Sequence, residues 1–228
     1  MPHKKRTLIA SLRQTGTQRA CLSVFLFPPF IVLAFGLILA FVAIKTGHAS
    51  SNNISDLSGG PTPIAPIFTP EVQYWSREIQ RWAAQTGINS NIAATIMQIE
   101  SCGNPDAISY AGAAGLFQVM PFHFQFTENA FDPDTNANRG LTYFADSLVA
   151  SGGDVRLALA GYNGGISVIS ESETTWADET VRYVYWGSGI YDDAQNNKTK
   201  SDRLDEWLTA GGADLCKKAD LRLGLHNR

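Results

Sequence analysis

Glu100 stands where a carboxylate is poorly accommodated. It closes an apolar run, Ile92, Ala93, Ile96, Met97 and Ile99, whose spacing predicts a short helix that Asn89 or Ser90 can cap. Gly103 and Pro105 stop that helix just beyond. A carboxylate in the last turn meets the negative end of the helix dipole, and apolar neighbours one turn back withdraw its water. Both effects favour the neutral form and raise the pKa. A glutamic acid still protonated near neutrality is what a general acid requires; the plain alternative is a partly exposed glutamate at a frayed helix end.

Other polar groups stand in unusual company nearby. Gly112 and Gly115 punctuate the loop after Glu100, where backbone can approach a ligand closely. Gln118 is an amide set among Leu116, Phe117, Val119 and Met120, so it must either satisfy a backbone group or face a cleft. Tyr162 and Asn163 end a helix of small residues, Ala158, Ala160 and Gly161, which permits close packing. Glu179 and Tyr183 add a carboxylate and a phenol on adjacent helical turns. His3, His48, His123 and His226 are scattered, with no metal-ligand spacing, and His123 reads as a loop or surface residue. No metal and no cofactor are expected.

The elements that would position these groups are helical. Thr69 and Pro70 open a helix whose stripe of Val72, Trp75, Ile79 and Trp82 ends at Gly87. After the Ile92–Glu100 helix and its loop to Pro121, helices are predicted from Asp134 to Ala150 and from Asp154 to Tyr162. Further helices are predicted from Glu173 or Thr174 through Tyr185, from Ser201 to Leu208, and from Asp214 to Leu223. No strand alternation is evident, although a short hairpin fits before Gly115. The class is mostly α.

The formal net charge of −3 conceals an asymmetry. Residues 1–45 hold Lys4, Lys5, Arg6, Arg13, Arg19 and Lys45 without an acid, so the rest of the chain carries −9. A domain that acidic lacks the basic patch a nucleic-acid binder needs. Residues 1–21 read as a basic cytoplasmic tail. Residues 22–45 follow as a transmembrane signal anchor or a signal-peptide core, apolar from Leu22 to Ile44 and broken at Pro28, Pro29 and Gly36. A small-x-small site at Gly47-His48-Ala49 suits cleavage, whereas the long basic region and apolar run suit an anchor. Either way the domain is expected in the cell envelope, membrane-anchored with its N-terminus inside, or secreted after cleavage near Ala49. Residues 46–70, rich in Ser, Asn, Gly and Pro, read as a flexible linker. Residues 71–228 are then one domain, ample for a single core. Exported, Cys102 and Cys216 can form a disulfide; two free thiols are the reading in a reducing compartment.

Four motifs in order resemble a known family. Glu100-Ser101-x-Gly103-Asn104-Pro105-x-Ala107-x-Ser109-x-x-Gly112-Ala113-x-Gly115-Leu116-Phe117-Gln118-Val119-Met120-Pro121 resembles the signature of soluble-lytic-transglycosylase (SLT-type) domains. Asn136-x-x-Arg139-Gly140-Leu141-x-Tyr143-Phe144 is similar to the family's second motif, with Ala137 where Ile is common. Ala158-Leu159-Ala160-Gly161-Tyr162-Asn163-Gly164-Gly165 and Glu179-Thr180-x-x-Tyr183-Val184 resemble the third and fourth. Phe117 departs from the usual Met, and the stretch after Tyr191 lies outside the resemblance.

The resemblance implies a single lysozyme-like α domain that cleaves the MurNAc–GlcNAc β-1,4 bond of peptidoglycan glycan strands, with Glu100 as sole acid and base. Ser109, Gln118, Met120, Tyr162 and Asn163 would contact substrate, Ser109 and Tyr162 at the N-acetyl group of MurNAc and Asn163 away from the reacting centre. Ser101, Glu179 and Tyr183 would support the cleft. Most glycosidases need a second carboxylate, here drawn from Asp106, Glu128, Asp132, Asp134 or Glu179, unless the substrate's own acetamido oxygen attacks. The substrate-assisted route ends in a 1,6-anhydro sugar without water. The competing expectations are a hydrolytic goose-type muramidase and an inactive glycan-binding module of the cell wall. Any partner in wall or secretion machinery is left unnamed by the chain.

Overall fold

The computed structural model describes residues 63–227. The expected basic tail, membrane segment and first part of the linker lie outside them. Among the described residues no helix is long and apolar enough to cross a membrane.

A helix buried around its whole circumference must be enclosed on all sides. That describes α3 (Ser90–Glu100), in which Ile92 through Gln98 are all buried. Asn89 caps it, its side chain accepting from the Asn91 amide. The other helices wrap it: α1 (Pro70–Tyr74) and α2 (Ser76–Thr86) on one side, α6 (Asp178–Gln195) on another. A second layer is α4 (Pro133–Ala150), packed on α2 and on α5 (Val155–Gly164), which in turn lies along α6. Two short helices, α7 (Asp202–Trp207) and α8 (Ala213–Leu223), close the far end. Side-chain caps from Asp132, Asp154 and Ser201 start α4, α5 and α7.

Three expectations need correction. The segment assigned to the linker is partly core: Ile64, Ala65, Ile67 and Phe68 are between 3% and 8% exposed. The one proline among them, Pro66, stands exposed in a turn while the apolar side chains join the core around α3, so linker-like composition hid a packed strap. The helix expected to run unbroken from Pro70 to Gly87 is divided at Trp75, which leaves helical geometry as its indole N–H donates 2.8 Å to the Gly103 carbonyl. The helix expected from Glu173 or Thr174 begins at Asp178. Trp176 adopts extended backbone there, which buries its ring and lets its indole donate 3.0 Å to the Val168 carbonyl. The possible hairpin before Gly115 amounts to isolated bridges, Ile108 with Ala114 and Ala114 with Val119.

Candidate active site

The loop from Ser101 to Pro121 has almost no regular structure, so side chains must hold its backbone. Besides the Trp75 indole on the Gly103 carbonyl, three side chains from three separate parts of the chain do so. Ser101, just past α3, donates 2.7 Å to the Leu116 carbonyl and accepts from the Gly103 amide. Asn136 on α4 is fully buried; its amide donates to the carbonyls of Ala114 (2.7 Å) and Ala130 (2.9 Å), and its oxygen accepts from the Phe117 amide (2.8 Å). Tyr162 on α5 donates 2.7 Å to the Phe117 carbonyl. The backbone comes so close to Asn136 that a Cβ at Gly115 would lie 2.4 Å from its amide nitrogen, and φ there is +76°. Gly140 on α4 serves the same purpose from the other side: a Cβ would meet Phe117 at 2.6 Å and the Tyr162 hydroxyl at 3.0 Å.

A cavity of about 260 Å³ opens between this loop, α4, α5 and α6. It brings together Glu100, Ser109, Gln118, Met120, Tyr162, Asn163 and Glu179. Ser101 and Tyr183 lie behind it. The polar valences divide usefully. Ser109 Oγ accepts from the Ala113 amide (3.0 Å), which leaves its hydrogen to donate. Gln118 sits at a positive φ of 45°, and both Nε2 hydrogens go to the Ala107 and Gly115 carbonyls, so only its oxygen can serve a ligand. This amide therefore satisfies the backbone and faces the cleft at once. Asn163 Oδ1 accepts from Thr180 (2.8 Å), leaving its two N–H groups for the cavity.

Glu100 is half-buried at the base, and its pKa rises from 4.5 to about 8. Desolvation is the largest cause; the negative charge of Glu179 adds to it, and the adjacent Tyr183 hydroxyl opposes it. That hydroxyl is buried beside Glu100, where an O–H favours the ionised carboxylate. The hydroxyls of Tyr162 and Tyr183 are pushed well above their ordinary pKa by burial and then by Glu100, so both phenols stay neutral. Of the other acids proposed as a second carboxylate, Asp106 pairs with Arg222, Glu128 with Arg139 and Asp134 with Arg81. Asp132 caps α4. Glu179 alone of that set lines the cavity, and it is exposed.

His123, expected as a loop or surface residue, lines the cavity instead. It stands 4.5 Å, centre to centre, from both Phe122 and Tyr143, and tilted ring contact with a helical residue twenty positions away draws it inward. Burial, then the charge of Arg139, holds its pKa below the ordinary histidine value. Tyr143 also lines the cavity. It faces the cleft from the same helix as Gly140, and its spacing three residues later on α4 is the signal that could have found it.

Cys102 and Cys216 are joined by a disulfide with Cα atoms 4.9 Å apart, tying the root of the loop to α8. Glu71 lies beside the two sulfurs, but bonded to each other they are not thiolate ligands, so this group holds no metal.

Residues 77–180 match the family described as the Transglycosylase SLT domain. The chain is similar to a protein named Transglycosylase from Enterobacteria phage PRD1, 33% identical over 111 residues that make up 48% of this chain and 40% of that protein. It is also similar to Membrane-bound lytic murein transglycosylase C of Haemophilus influenzae (strain PittEE), 34% identical over 95 residues, or 34% of this chain and 27% of the relative. The match thus spans well under half the length of these relatives. A solved structure of an inactive variant of lytic transglycosylase Slt from Pseudomonas aeruginosa aligns with 53% of this chain and 24% of its own, at 26% identity and a TM-score of 0.44.

Proposed function

We propose, since residues 77–180 match the Transglycosylase SLT domain family, that the protein is a peptidoglycan lytic transglycosylase with a lysozyme-like α domain and Glu100 as its acid and base. The observation that carries this is the Glu100 carboxyl, raised to about 8 at the base of a cavity whose only other acid is exposed. At neutral pH such a group holds its proton ready for a leaving oxygen.

The chemistry runs in two halves. Protonated Glu100 gives its proton to the glycosidic oxygen as the C1–O bond breaks, while the substrate's acetamido oxygen bonds to C1 and spreads the positive charge. The acetamido group offers one acceptor and one donor. Ser109, with a free hydroxyl hydrogen, suits its carbonyl; Tyr162, whose hydrogen is taken by Phe117, can only accept from its N–H. Ionised Glu100 then removes the proton from the C6 hydroxyl, whose oxygen displaces the acetamido oxygen at C1. The product is the 1,6-anhydro sugar, the acid is regenerated and no water is consumed. Gln118, Met120 and Asn163 line the path of the strand, and Ser101 and Tyr183 hold its walls.

One observation favours a second reading. Glu179 shares the cavity and could orient a water, which would make the enzyme a hydrolytic muramidase. Mass spectrometry of products from purified peptidoglycan decides: chain ends short by one water are expected, and uniformly hydrated reducing ends would overturn the transglycosylase reading. For location, the basic tail and apolar run of residues 1–45 support placement outside the cytoplasm, tethered or released near Ala49, and a disulfide suits an oxidising compartment. N-terminal sequencing of the native protein distinguishes anchor from cleaved signal.

A further inference from the structure

A cavity of about 260 Å³ is smaller than the usual range for even one drug-sized ligand, so a polymer seated at Glu100 must continue beyond it. One direction is marked by rings. From the acid outward, Tyr183 and Tyr162 lie 6.5 Å apart between centres, Tyr162 and Tyr143 5.8 Å, Tyr143 and His123 4.5 Å, and His123 and Phe122 4.5 Å. Tyr162, Tyr143 and His123 line the cavity; Phe122 does not, and it is 75% exposed. A phenylalanine left that open covers no core, and its ring leans on that of His123 at 43°. The neighbouring loop tip carries Tyr110, which is fully exposed, and comes back against Pro121 at Gly112.

We propose that Phe122, backed by His123, is a stacking platform that extends the cleft and takes the apolar face of a further sugar ring of a glycan strand. A pyranose presents axial C–H groups on one face, and these fit the electron-rich face of an aromatic ring as another ring's edge does. The backing ring is suited to that use, since His123 stays neutral near neutral pH and adds no charge beneath the sugar. Arg139, the nearest cation acting on it, is held in a two-pronged pair by Glu128. Continuity with the Glu100 cavity is what selects a glycan over other occupants of an exposed ring.

The inference rests on the proposed glycan substrate, and its test separates the two. KM and kcat are measured for the full chain, Phe122→Ala, Phe122→Trp and Leu221→Ala on peptide-free glycan strands of graded length. Leu221 is an exposed apolar residue on α8, distant in sequence from the cleft. For Phe122→Ala the KM defect should grow with strand length, reaching roughly three- to tenfold on the longest strands with kcat little changed. Phe122→Trp should restore KM, and Leu221→Ala should match the parent. A defect independent of length, or none, overturns the platform. Cosedimentation of the Glu100→Gln chain with insoluble peptidoglycan, with and without Phe122→Ala, reads binding without turnover. If the parent proves inactive while this binding still depends on Phe122, the platform stands and the enzymatic reading falls. Loss of binding to phosphatidylglycerol vesicles on Phe122→Ala, with glycan binding intact, would identify the ring as a membrane contact and overturn the inference.

Discussion

Helix α6 has a hollow on each side, and the larger of the two does not hold the unbalanced charge. On the side away from the cleft, a hollow of about 460 Å³ is lined by Arg156, Glu173, Trp176, Tyr185, Asp192 and Arg203. Both of its arginines are paired. Arg156 grips Glu173 through two bonds of 2.5 Å, and Arg203 lies 3.5 Å over the Tyr185 ring while reaching Glu206. Pairing with Arg156 drives the Glu173 carboxyl below its ordinary pKa, whereas burial without a cation drives Glu100 up to about 8. Volume therefore says little about chemistry. A buried carboxyl that the fold leaves without a cation says much more.

The strongest way to break that contrast is Glu100→Gln. Lytic turnover should fall at least 10³-fold, at the upper part of the range for removing a general acid. The same variant should gain stability, and the sign can be worked out. Between pH 4.5 and about 8 the native state keeps a proton that the unfolded state releases. Native stability of the parent therefore declines across that window and is flat above it. Glu100→Gln should equal the parent near pH 4 and exceed it near pH 8, by on the order of 2–4 kcal/mol if most of the shift is expressed. Denaturant unfolding at the two pH values checks this, and a constant difference would contradict an unpaired buried acid.

Activity should follow the same group. The kcat/KM of the parent should fall as pH rises through about 8, because the acid must be protonated in free enzyme. Tyr183→Phe sharpens the point: its hydroxyl opposes the rise, so its removal should move this basic limb to higher pH, by less than about one unit. The smallest effect belongs to the other hollow. Glu173→Gln breaks a pair whose side chains are about half exposed, and should leave turnover unchanged and shift Tm by no more than about 2 °C.

What was legible in the chain depended on whether the cause was local. Glu100 could be singled out because the apolar stripe and the helix stop lie within ten residues of it. The caps by Asn89, Asp154 and Ser201 are likewise local, and each helix begins where its cap stands. The failures were decided at a distance. Trp176 leaves helical backbone to bury its ring and reach Val168, and Trp75 breaks its helix to reach Gly103. His123 enters the cleft because Tyr143 is there to stack on, and Ile64 to Phe68 are core because α3 needs cover on that side. A proline-rich composition carries no mark of which surface its apolar residues will find.

The grip on the root of the Glu100 loop has a consequence for stability. Trp75 holds it from the α1–α2 junction and Cys216 from α8, and α1 lies directly against α8. The root is therefore held by two residues far apart in sequence, Trp75 before the loop and Cys216 well after it. A cross-link that spans 114 residues restricts the unfolded chain as well as the folded loop, so breaking it costs stability along with order at the Glu100 loop.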